Sequence, residues 1–103
     1  MNVRFAWDEK KNIANQSKHR IGFEAAMLVF EDPNSISIQD RDTGGEQRWI
    51  TTGWVQDSIV LVAHTRVYEE EEEVIRIISA RKANPSEREI YAKETQQSAT
   101  NTD

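Results

Sequence analysis

Val74-Ile-Arg-Ile-Ile-Ser-Ala-Arg-Lys-Ala83 runs without a break into Asn84-Pro-Ser-Glu87, and the way this segment is read decides the fold. Val74, Ile75, Ile77, Ile78 and Ala80 put apolar side chains on both alternating faces, the pattern of a central strand covered on each side. Arg76 conflicts with that burial. An unpartnered guanidinium is costly to bury, so either a carboxylate meets it or one face opens onto a groove that receives anions. Arg81 and Lys82 then precede a helix start, where Asn84 suits the N-cap, Pro85 the first helical position and Glu87 the capping box. Free N–H groups at such a start also favour negative charge. The segment predicts a positive site built on a rigid strand.

Upstream of it the apolar residues recur with a period of two. Ser35–Gln39, Gln47–Trp54 and Ile59–Val67 read as strands, with an exposed loop at Arg41–Glu46 and a turn at Gln56, Asp57 and Ser58. Ile59–Val67 and Val74–Ala80 are joined across Glu69–Glu73. Short connections predict an antiparallel meander instead of alternating βαβ units. Further upstream the period becomes helical. Asn2–Trp7 fits a short first strand, and Asp8 caps a helix running to about His19, with Trp7 packed over its start. Lys11, Asn15, Lys18 and His19 share that helix's polar side. Arg20, Ile21 and Gly22 break it, Gly22 supplying the left-handed residue. Phe23–Phe30 reads as a second helix whose Phe23, Ala26, Met27 and Phe30 face the core. A third helix runs from Pro85 to about Glu94, and the polar Thr95–Asp103 is expected to be disordered. The chain is thus predicted to be α+β: one domain over residues 1–94, with an antiparallel sheet, two N-terminal helices and one C-terminal helix.

At 103 residues there is enough chain for one modest core. No cysteine is present, so neither disulfides nor thiolate chemistry enters, which suits a reducing cytoplasm. No apolar run approaches the roughly 20 residues of a membrane span, and no signal-peptide pattern opens the chain, so a cytoplasmic protein without membrane contact is expected. The net charge of −5 opposes a polyanionic partner, but removing the single run Glu69–Glu73 brings it to about zero. The bases are bunched in Lys10, Lys11, Lys18 and Arg20, and again in Arg66, Arg76, Arg81, Lys82 and Arg88. Local potential therefore matters more than the total.

If Arg66 opposes Val74 in an antiparallel pair, His64 opposes Arg76 and Val62 opposes Ile78, and His64, Arg66 and Arg76 share one face. A slip of one residue brings Thr65 opposite Arg76 and turns His64 and Arg66 away. The first register is the prediction. With Arg81 beside it and Tyr91 reaching in from the third helix, such a cluster suits cleavage of an RNA phosphodiester. Guanidinium groups neutralise charge on the phosphate, while an imidazole, amine or phenol moves the proton of the 2′-hydroxyl or the leaving oxygen. This scheme requires neither metal nor cofactor, and His19 and His64 have no acidic neighbours at ligand spacing. Structural readings stand beside these: His64 as a satisfied core histidine, Tyr91 as packing, Arg76 in an ion pair with Glu24 or Glu87.

Several stretches together resemble the BrnT toxin family. They are Phe5-Ala-Trp-Asp-Glu-Lys-Lys-Asn-Ile-Ala-Asn15 with Lys18-His19, Phe23-Glu-Ala-Ala26, Phe30-Glu-Asp-Pro33, Glu46 with Arg48, Gly53, His64-Thr-Arg66, Ile75–Ala83 and Glu87-Arg-Glu-Ile-Tyr91. The resemblance implies a RelE-like ribonuclease fold and an RNA-cleaving toxin that inhibits translation. It also implies a BrnA-type antitoxin with a ribbon-helix-helix part, through which the complex contacts operator DNA and represses its own operon, with room for a toxin dimer in a larger assembly. Carried onto this chain, it implies catalytic roles for Lys18, His19, His64, Arg76, Arg81 and Tyr91. Lys11, Arg66, Lys82 and Arg88 are the expected substrate-binding residues. The run Glu69–Glu73 departs from the shorter, less acidic turn of such proteins. Close to an RNA groove it would repel substrate, an effect screened over about 8 Å at physiological salt.

Overall fold

Four hairpin-linked strands, β2 (Ile36–Thr43), β3 (Glu46–Val55), β4 (Ser58–Glu69) and β5 (Glu72–Lys82), form the meander that the period-two pattern predicts. The structure is a computed structural model that describes residues 2–43 and 46–100, with the backbone alone for 41–43, 46 and 96–100. Strands β2 and β3 reach into the span expected to be an exposed loop, and Gly44 and Gly45 lie outside the described residues. A fifth strand, β1 (Asn2–Ala6), completes the sheet in the order β1-β5-β4-β3-β2.

β1 runs parallel to β5, with Arg4 beside Val74 and Ala6 beside Arg76, so the sheet is mixed and not wholly antiparallel. The neighbouring helix accounts for this direction. Helix α1 (Glu9–His19) must pack along the part of the β5 edge that β1 leaves uncovered, and a parallel β1 delivers the chain to that end. There the buried Asn15 imitates a strand: its Oδ1 accepts from Ala80 N at 3.1 Å, and its Nδ2 donates to Ala80 O and Ile21 O, both at 2.9 Å.

Asp8 caps α1 by accepting from Lys10 N at 2.8 Å, as expected, and Trp7 donates to Glu9 Oε2 at 3.1 Å in the first turn and packs edge-on against Phe23. The left-handed residue that ends α1 is Arg20, at φ 61°, and not Gly22, which is the N-cap of the next helix. That helix, α2 (Phe23–Ala26), lasts one turn and tightens into a 3-10 helix at Met27–Glu31. The tightening follows from packing: Phe23, Ala26 and Val29, spaced by three, are all fully buried, while Met27 and Phe30 only flank the core. They pack with Val55, Val60, Val62, Ile77 and Ala80 on one face of the sheet.

Helix α3 (Pro85–Thr100) runs six residues past the expected end at Glu94, so the segment expected to be disordered is helical as far as Thr100, and residues 101–103 lie outside the described ones. Its capping box forms as predicted: Asn84 Oδ1 accepts from Glu87 N at 2.8 Å and Glu87 Oε1 accepts from Asn84 N at 2.9 Å. Tyr91 anchors α3 at one end of the other face, against Ile59 and Ala83.

The register between β4 and β5 is the slipped one. Thr65 pairs with Arg76, Arg66 with Ile75 and His64 with Ile77, and a β-bulge beyond His64 brings Ala63 opposite Ser79 and Val62 opposite Ala80. A turn of two residues sets it, since Glu70 and Glu71 take positive φ (48° and 66°) and Glu69 pairs with Glu72. Core burial agrees, because this register turns Ile75, Ile77 and Ala80 to the helices together with Val60 and Val62. Only the middle of the acidic run is turn. Glu69 and Glu72 pair with Arg4 at 3.9 and 3.2 Å, and Glu73 with Arg66 at 3.7 Å, which neutralises part of its charge.

Candidate active site

Helices α1 and α2 and the 3-10 helix cover one face of the sheet and leave most of the other open. On the open face Leu61, Ala63 and Thr65 of β4 alternate with the residues turned to the helices, Thr65 being buried among its neighbours all the same, and opposite them β5 places Arg81, Ser79 and Arg76, all exposed. β5 is therefore covered on one side only, and Arg76 sits where the open side allows it. Arg48 of β3 pairs with Thr65, so Arg48, Thr65 and Arg76 form a row across three strands. Arg81 lies four β4 residues further along, about 13 Å by strand rise. Among the described residues Arg76 makes no ion pair, neither with Glu24 nor with Glu87.

Glu87 is engaged elsewhere. Its two oxygens take Arg81 Nη1 and Nη2 at 2.8 Å each, a bidentate clamp, while Oε1 also closes the helix cap. The hydrogen bond from Arg81 holds the Glu87 carboxyl below its ordinary range, and the same bond raises the Arg81 guanidinium. His19, at the end of α1, is half-buried and shares a hollow of about 120 Å³ with Ser79, Arg81, Leu61 and Ala63. Asn15 holds the helix there, and Asn12 supports it by accepting from Phe23 N at 2.8 Å and donating to Glu9 and Glu24 at 3.1 Å. Lys18 and Lys11 are exposed on α1 and do not line the hollow.

Five expected site residues, His64, Arg66, Tyr91, Lys82 and Arg88, stay out of that hollow, and the register explains two of them. His64 is fully buried on the covered face, its Nε2 2.7 Å from Thr51 Oγ1, itself 2.8 Å from Ser37 Oγ, with Phe30 edge-on at 5.0 Å. Burial pushes its imidazole down to about 4; the Arg66 charge adds to this and a long bond to Thr65 O opposes it. It is a neutral core histidine and does not meet Arg76. Arg66 also points to the covered side, pairing with Glu73 and lying 5.7 Å from the Trp49 ring centroid.

Tyr91 is buried and donates to Asp32 Oδ2 at 2.6 Å, so that burial first and Asp32 second push its phenol up to about 12. A hydroxyl so held fastens α3 and does not exchange protons near neutrality. Arg88 donates to Ala83 O at 2.9 Å and, with Lys82, borders a separate hollow beside Trp54 and Asp57.

The structure adds Arg48 and Ser79 to the open face. Ser79 was legible only as an alternating strand position and Arg48 only as one of the residues that carry the family resemblance, and neither signal says which face is open. It also adds Asp32, whose Oδ2 accepts from Trp54 N at 2.8 Å as well as from Tyr91. Gly53 permits this, since a Cβ there would lie 2.9 Å from Asp32 Oδ2 and 3.0 Å from Val29.

Among the described residues no group of three His, Cys, Asp or Glu side chains is placed to hold a metal ion, and no helix is long and apolar enough to cross a membrane. No curated protein matches the sequence. A family model described as the ribonuclease toxin BrnT of type II toxin-antitoxin systems matches residues 7–87, a span that holds α1, every strand after β1, and the Arg81–Glu87 clamp. With Arg76 and Arg81 exposed on one sheet face and a match over most of its length, the chain belongs to the BrnT family of ribonuclease toxins of type II toxin-antitoxin systems.

Proposed function

We propose that this chain is a cytoplasmic toxin of RelE-like fold that cuts RNA on the open face of its sheet without a metal ion, inhibits translation, and is neutralised by a BrnA-type antitoxin. Its functional unit is residues 1–94. The antitoxin's ribbon-helix-helix part carries the complex to operator DNA. The observation that carries the ribonuclease reading is the gathering of Arg48, Arg76 and Arg81 on one uncovered face, with His19 beside Arg81.

In this reading the guanidinium groups grip the phosphate. The 2′-hydroxyl oxygen attacks phosphorus, the bond to the 5′-oxygen breaks, and a cyclic phosphate and a 5′-hydroxyl result. His19 moves one of the two protons, off the 2′-hydroxyl or onto the 5′-oxygen, water carries the other, Lys18 assists at the helix end, and Arg76 and Arg81 stabilise charge on the phosphoryl oxygens. Incubating the purified protein with RNA and excess chelator should yield fragments, and Arg76→Ala, folded by circular dichroism, should cut roughly a hundredfold more slowly. Folded Arg76→Ala, Arg81→Ala and His19→Ala proteins that cut as fast as the parent would sink the assignment.

One observation favours a second reading, a toxin-like module that binds antitoxin without catalysis. Arg81 is clamped by Glu87, and His64 and Tyr91 are locked into the fold, so His19 is the one of these proton-transfer candidates that remains on the open face. Antitoxin binding by a protein that leaves RNA intact in the same assay would establish it.

A further inference from the structure

Next to the hollow of His19 and Arg81 lies a second one of about 220 Å³, between the open sheet face and α3. The two share Ile50 and Leu61, and Leu61 is the strand partner of Arg81, so they are adjoining compartments of one surface. The second compartment has Ile50 and Leu61 on the sheet, Ile90 and Tyr91 on α3, and Ile38 towards the β2 edge. Ile38 and Ile90 are 61 % and 57 % exposed, an apolar mouth that water does not favour. The space falls below the several hundred Å³ of a drug-sized site and suits one flat ring system.

Two carboxylates border it, those of Asp40 and Glu87. Both Glu87 oxygens are taken by Arg81, and one also by Asn84; Gln39 and Thr52 line the space as well, and Asp40 is the lining carboxylate that makes no ion pair among the described residues. The occupant that fits has apolar faces, an edge N–H donor for Asp40, and a covalently attached anion that reaches Arg81. We infer that this compartment is a base-binding subsite, in which Ile50 and Leu61 contact the face of a nucleobase and Asp40 selects bases carrying an exocyclic amino group. The inference deepens the ribonuclease reading and rests on it. Carboxylate acceptors pair with the amino group of cytosine in the same way on duplex DNA, whereas uracil offers only its ring N3–H, flanked by two carbonyl oxygens that a carboxylate repels.

The test is a methyl and backbone NMR titration of the full chain with inorganic phosphate, AMP, CMP, GMP and UMP. Phosphate should move the resonances around His19, Arg81 and Arg76 and leave those of Ile36, Ile38 and Ile90 in place. AMP, CMP or GMP should in addition move the methyls of Ile36, Ile38 and Ile90, which line the second compartment and not the first, binding about tenfold tighter than UMP, and Asp40→Asn should abolish that preference while leaving phosphate binding unchanged. Nucleotides that move His19 and Arg81 but not these methyls would overturn the subsite and leave the ribonuclease reading standing. Methyls that respond only to an isoleucine-rich peptide would overturn it in favour of a protein ligand. No response to phosphate or to any nucleotide would overturn both.

Discussion

Replacing Tyr91 by Phe removes one hydroxyl and keeps the ring, so the change tests whether Tyr91 fastens α3 or takes part in cleavage. In the parent the phenol donates to Asp32 Oδ2 at 2.6 Å, and the carboxylate also accepts from Trp54 N and, through Oδ1, from Asn34 N. A hydrogen bond to a charged group contributes about 1.5–3 kcal/mol. Asp32 is half-buried and keeps its two backbone donors, so the lower end applies, about 1.5 kcal/mol, which for a domain of this size lowers Tm by about 7 °C. The loss should depend on pH in a definite sense. Burial raises the Asp32 carboxyl, but the donors from Tyr91, Trp54 and Asn34 outweigh it and leave it lowered. A depressed carboxyl contributes stability above its unfolded value, about 3.9, and loses it as pH falls through the folded one. The gap between parent and variant should be steady from pH 5 to neutrality and close below about pH 4. The phenol, raised from 10 to about 12, gives the mirror case, and the gap should close again as pH rises through that interval. Thermal melts across pH measure the first quantity, and RNA cleavage well below the transition measures the second, which should stay within a few-fold of the parent. An unchanged Tm, or a hundredfold loss of cleavage in folded protein, would refute the account.

His64 gives a second pH signature: because its folded value of about 4 lies below the unfolded 6.5, stability should fall by roughly 3 kcal/mol as pH drops from 6.5 to 4, and His64→Gln should flatten that slope in urea melts. Asn15→Ala should be among the most destabilising single changes, about 3 kcal/mol by chemical denaturation, since it strands Ala80 N, Ala80 O and Ile21 O in a buried setting. Glu87→Gln keeps an acceptor for the helix cap but releases Arg81. Stability should fall by less than about 1 kcal/mol, because the pair is partly exposed, while RNA affinity by filter binding should rise; a fall in affinity would mean that the clamp aims Arg81 and does not restrain it.

Much of the frame was legible in residue pattern alone. Alternation marked the four meander strands, and Asp8, Asn84 and Glu87 marked two helix starts through side chains that have only local partners. The single turn of α2 and its 3-10 continuation were not legible, because Phe23, Met27 and Phe30 satisfy a helical period while Phe23, Ala26 and Val29 are what the sheet buries. The parallel pairing of β1 was equally hidden, since strand direction depends on where Asn15 finds the open edge of β5.

The amino-acid order by itself determined the strand and helix segments, the caps, the family and the presence of arginines at Arg76 and Arg81, all of which follow from neighbours within a few residues. Only the tertiary structure decided which of these residues meet. A two-residue turn at Glu70 and Glu71 and one bulge beyond His64 sent His64 inward and Arg76 outward. A strand's side chains alternate with a period of two, so a shift of one residue in pairing, invisible to composition and almost without cost to local propensity, exchanges the buried set for the exposed one.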